Sequence, residues 1–111
     1  MRRLLLVLLF PLPALALSPA AKEFMEISAQ LEPVQCEKRQ LRRQMAMAQA
    51  EQRDEDVKKL RARAAQINLD KETARLEKRL AELEKRITAA RDAADLDAIS
   101  LQQRQAFYRC E

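Results

Sequence analysis

From residue 20 to its end the chain is dominated by Ala, Leu, Glu, Lys, Arg and Gln, and it contains no glycine at all. These are strong helix formers, and no stretch alternates apolar and polar residues as a half-buried strand does. The expected fold class is all-α: antiparallel helical hairpins with a coiled-coil seam, placed after an N-terminal signal peptide. Without glycine the chain also lacks the residue that phosphate-cradling loops need at their tight backbone positions.

The export reading rests on the first twenty residues. Met1-Arg2-Arg3 precedes the apolar run Leu4 to Phe10, and small residues follow, which is the layout of a secretory signal. Two sites satisfy the small-x-small rule. One follows Ala16 in Ala14-Leu15-Ala16, the other Ala20 in Ser18-Pro19-Ala20. The second is preferred on sequence, because it leaves Ala21-Lys22 as an unhindered start. That divides the chain into a signal at residues 1–20 and a single helical domain at residues 21–111. An uncleaved membrane anchor is the alternative. However, Leu4 to Leu17 is short of the ~20 apolar residues that span a bilayer, and Pro11 and Pro13 interrupt it.

Removing residues 1–20 takes Arg2 and Arg3 and no acid, so the formal charge of +4 falls by two. What remains is mixed along the chain. Trp is absent and the aromatics past residue 20 are Phe24, Phe107 and Tyr108, so neither a basic stripe nor a base-stacking platform supports nucleic-acid binding. Histidine, the commonest general base and metal ligand, is also absent. The Ser and Thr residues past residue 20 are Ser28, Thr73, Thr88 and Ser100, none with an evident base. No catalytic residue, cofactor or metal is expected. Met45 and Met47 fall on different helix faces and form no soft-metal chelate with Cys36 and Cys110.

The breaks organise the rest. If cleavage falls after Ala16, Ser18-Pro19 is a candidate N-cap and first helical residue, followed by Phe24, Ile27, Leu31 and Val34 at 3-4-3 spacing. Pro33 removes a backbone donor and predicts a kink or stop. The stripe Leu41, Met45, Ala48 does not continue in phase into Val57, Leu60, Ala64 and Ile67. Between them Asp54 is a candidate cap. Asn68-Leu69-Asp70 is the next expected turn, with Asp70 as N-cap and Glu72 in the first turn. A seam then follows: Thr73, Leu80, Ile87 and Ala94 hold one heptad position, and Leu69, Leu76, Leu83 and Ala90 the other. Asp95 is expected to cap a last short helix carrying Ile99 and Phe107. Two layouts fit: one long hairpin turning near Asn68, or two hairpins turning near Arg53 and Asp95.

Cys36 and Cys110 are expected to pair, because an exported chain meets an oxidising compartment. Helical rise places Cys110 about 15 Å from the level of Cys36 in either layout, whereas a bridge needs Cα atoms within about 7 Å. An internal bridge therefore requires a kink at Pro33 and a frayed tail. A bridge between two chains and free thiols are the alternatives.

Two segments resemble the domain of unknown function 1090 family of small exported bacterial proteins. One runs from Cys36-Glu37-Lys38 through Gln52-Arg53-Asp54-Glu55-Asp56-Val57 to Leu60, the other from Ala90 to Ser100. Both look like that family's helix–polar turn–helix units, although the turn glycines are absent and the family's second cysteine is not near residue 68. The resemblance implies an exported location and the two-hairpin layout, and it implies no activity.

The expected function is a non-enzymatic structural or protein-interaction role in the bacterial envelope, in the periplasm or secreted, with a protein partner or a second copy meeting the seam of Leu69, Leu76, Leu80, Leu83, Ile87 and Ala90. A membrane partner is expected only if the signal is retained. The alternatives are a periplasmic holdase-type chaperone, or a spanin-like anchored coiled coil if the signal is not cleaved.

Overall fold

A computed structural model describes residues 17–110, so the expected signal falls almost entirely outside the described residues. The described chain is all-α, with four helices: α1 Pro19–Ala50, α2 Asp54–Leu69, α3 Lys71–Ala90 and α4 Ala93–Arg109. At ~1.5 Å per residue α1 is about 48 Å long and forms the spine. The chain reverses after α1, and α2 and α3 return along it in succession, separated only by Asp70. A second reversal at Arg91-Asp92 sends α4 back in the direction of α1, against α1 and α3.

The core gathers at the end where three helices meet. Ala21, Phe24, Ile27 and Leu31 of α1 pack with Leu83 and Ile87 of α3 and Ile99 of α4, with Leu76 and Leu80 half-buried at the margin. The other end is a two-helix hairpin, in which Leu41, Ala48, Val57 and Ile67 are buried. Its apolar content is thinner, so most hydrophobic stabilisation, at about 25 cal/mol per Å² of apolar surface removed from water, falls in the three-helix half.

Local chemistry explains the helix ends. Ser18 adopts an extended N-cap conformation and its hydroxyl accepts from the Ala21 N–H, with Pro19 as first helical residue. Asp70 caps α3 by accepting from the Thr73 N–H at 2.8 Å, with Glu72 in the first turn, as its sequence position predicts. Asp54 does not cap α2. It is the first residue inside the helix, where with Glu55 and Asp56 it faces the positive end of the helix dipole. Asp95 is likewise not a cap. Asp92 holds that role, accepting from the Asp95 N–H at 3.0 Å, and α4 begins near Ala93.

Pro33 neither stops nor breaks α1, which runs through it. The carbonyl it leaves without a donor belongs to Ala29, one turn earlier. Both residues are exposed, so water replaces the missing bond while Leu31 on the inner side stays packed. The layout combines features of both expectations: reversals at residues 51–53 and 91–92, and a break without reversal at Asp70.

Both reversals are made without glycine. Gln52 and Arg91 take left-handed conformations, at φ 57° and 54°, which cost a residue with a Cβ roughly 1 kcal/mol. Arg91→Gly is therefore expected to stabilise the protein by about 1 kcal/mol, read as a rise of several degrees in melting temperature. A fall would show that the Arg91 side chain contributes more than its backbone costs.

Candidate functional site: the cross-linked first and last helices

Hydrogen bonds and a disulfide join α1 to α4 at four levels, and the Arg39 guanidinium of α1 also lies over the Phe107 ring of α4, 5.7 Å from its centroid. At one end the Asp95 carboxylate, only 1% exposed, accepts from the Ser18 backbone N–H at 3.0 Å and the Ser18 hydroxyl at 2.7 Å. Further along, Gln102 Nε2 donates to the Met25 carbonyl at 2.8 Å. Next, Arg109 donates to both oxygens of Glu32, at 2.9 and 2.8 Å. Last, Cys36 and Cys110 form a disulfide with Cα atoms 5.5 Å apart.

The first three connections share a sequence separation of 77. Ser18, Met25 and Glu32 are seven residues apart on α1, as are Asp95, Gln102 and Arg109 on α4. Seven residues is close to two helical turns, so each set lies along one face, and the constant separation means that the helices run parallel in one register. A slip by a single residue would rotate every partner off its face. The polar links therefore fix the register, and the disulfide locks it.

The bridge does not need the frayed tail expected of it, since α4 stays helical through Arg109. With α4 starting near Ala93 rather than at Asp95, and with Asp70 interrupting the return arm, a regular α4 delivers Cys110 as its C-cap residue beside an unbroken α1. The structure places the pair within one chain.

The predicted seam is partly assembled. Leu83 and Ile87 are buried, and Leu76 and Leu80 pack against the core. Leu69 is 79% exposed and Ala90 is exposed, so neither belongs to it. The break at Asp70 resets the helical phase after Leu69, and Ala90 ends α3 where the chain turns away. The seam packs on α1 of its own chain.

Paired charges line the outside. Arg79 donates to Glu23 at 2.7 and 2.8 Å, and Arg63 to Glu37 at 2.6 and 2.9 Å. Lys38 donates to Glu77 at 2.7 Å. The hydrogen bonds from their arginines, reinforced by charge attraction and opposed by partial burial, hold Glu23, Glu32 and Glu37 below the usual carboxylate value of 4.5. Such groups stabilise the fold above their unfolded pKa, and that contribution is lost as pH falls through the lowered folded value. The chain contains no histidine. The melting temperature is therefore expected to be flat between about pH 8 and pH 6 and to fall below about pH 4.5, less steeply in ~1 M salt. A rise on acidification would contradict these pairings.

Among the described residues no group of three or more His, Cys, Asp or Glu is placed to hold a metal, and no helix is long and apolar enough to cross a membrane. Sequence reasoning missed Ser18–Asp95 and Gln102–Met25. In α4 the polar residues Asp95, Gln102 and Arg109 recur every seven residues, whereas on α1 the partner of Gln102 is the Met25 main-chain carbonyl, which no side-chain pattern signals. Comparisons with protein-family models, curated proteins and solved structures found no match.

Proposed function

We propose that this protein is exported and serves in the bacterial envelope, in the periplasm or secreted, as a non-enzymatic structural or protein-interaction element. The observation that supports this most is the Cys36–Cys110 bridge, read beside the Met1-Arg2-Arg3 and Leu4–Phe10 leader. A disulfide persists in an oxidising compartment, and the leader is the address for one. The architecture suits such a role: a long spine, a clamped three-helix end and a protruding two-helix tip with charged outer faces. Since the seam is used inside the chain, a partner would meet other surfaces, among them Leu96, Leu101, Phe107 and Tyr108 on α4, all exposed.

Expression of the whole chain with its own leader, followed by fractionation and non-reducing intact-mass analysis, tests this reading. The expected product is an extracytoplasmic monomer two hydrogens lighter than its reduced form. Recovery from the cytoplasm with both thiols free would refute it.

A further inference from the structure

We infer that the leader is removed between Ala16 and Leu17, so that the folded domain starts at Leu17 and not at Ala21. This inference rests on the export reading above. Both bonds satisfy the small-x-small rule, and sequence alone prefers the later one. The geometry around Ser18 reverses that preference.

Ser18 is not a passive linker residue. Its backbone N–H and hydroxyl both donate to Asp95, at 3.0 and 2.7 Å, while its hydroxyl oxygen accepts from the Ala21 N–H at 3.1 Å. Its carbonyl accepts the first main-chain bond of α1, from the Lys22 N–H at 3.0 Å. One residue thus caps α1, satisfies a buried carboxylate and sets the first step of the register between α1 and α4. Pro19 follows at the position where a missing N–H costs nothing.

Cleavage after Ala20 would discard all of this. Asp95 would lose both Ser18 donors, and with them the hydrogen bonds that tie the start of α1 to α4. The chain would then begin at Ala21, a core-cluster residue beside Phe24 and Leu83, and the first turn of α1 would lose its cap at a packed position. Cleavage after Ala16 keeps every one of these contacts and places the new N-terminus on Leu17, outside the cap.

The test is N-terminal sequencing and intact mass of the full chain exported from its own leader. The expected start is Leu17. A start at Ala21, or an exported chain still starting at Met1, overturns this inference and leaves the export reading standing, whereas recovery from the cytoplasm alone overturns the export reading. An Ala20→Arg variant is expected to be processed as the unaltered chain is, and loss of its processing would overturn the inference. A second measurement checks the physical cause. Chains made to start at Leu17 and at Ala21 are compared by thermal melting, and the shorter is expected to melt roughly 10–20 °C lower. Equal melting temperatures would remove the reason for placing the boundary before Ser18.

Discussion

Reduction of the Cys36–Cys110 bridge is expected to lower the melting temperature by roughly 15–30 °C. The bridge closes a separation of 74 residues, and constraining an unfolded chain over that length is worth about 4 kcal/mol in the loop-entropy account. A domain of this size has a total stability of roughly 5–15 kcal/mol, so the loss is a large share. The packing of α4 sharpens the expectation. Ile99 and Asp95 are its buried residues, with Gln102 and Arg109 adding polar links. Once the sulfurs part, α4 has little apolar surface to hold it, and it should detach before the α1–α3 core melts. Helical circular dichroism with and without reductant, and on a Cys36→Ser/Cys110→Ser double variant, measures the effect. A shift under about 5 °C would show that the apolar and polar contacts alone hold α4 in place.

The second large effect is expected at Asp95. Asp95→Ala removes an acceptor of two hydrogen bonds, each worth about 1.5–3 kcal/mol when one partner is charged, and leaves the Ser18 donors facing a void. Allowing for relaxation and water entry, a loss of about 3 kcal/mol is expected, or roughly 15 °C. Asp95→Asn keeps the shape and one acceptor and should lose about half as much. Ser18→Ala should cost about 1–2 kcal/mol, since it also removes a helix cap. Combining Ser18→Ala with Asp95→Ala should cost less than the two separately, because both delete one network. If Asp95→Ala melts within about 3 °C of the unaltered protein, the register argument fails at its first step.

Both predictions depend on contacts between residues distant in sequence, and that is where sequence reasoning was weakest. Short-range chemistry was legible. Asp70 caps α3 through a neighbour three residues away, and Phe24, Ile27 and Leu31 share a buried face that their spacing alone predicts. Asp92 and Asp95, by contrast, are both good caps by local rules. The choice between them depends on Ser18, 77 residues earlier, which claims the Asp95 carboxylate and leaves Asp92 to cap. The stop allowed for at Pro33 does not occur, for a related reason. The local rule counts a lost hydrogen bond, while its cost depends on whether water reaches the freed carbonyl, and the face of a helix is a tertiary fact. Seam membership failed at Leu69 and Ala90, the two ends, where heptad counting extends past the points at which the backbone turns. The cysteine pairing was legible from compartment chemistry, and its geometry was not, because the level of Cys110 depends on every break before it.

The position of the bridge also decides how the molecule would carry mechanical load. A pull applied between Ser18 and Cys110 runs along the first part of α1 to Cys36 and leaves through the sulfurs. Only residues 18–36 lie on that path, so the tethered chain can lengthen to about 65 Å and no further. Everything from residue 37 to residue 109, including the α1–α2 tip, is off the line of force. The tip would keep its shape while the clamped end takes the strain.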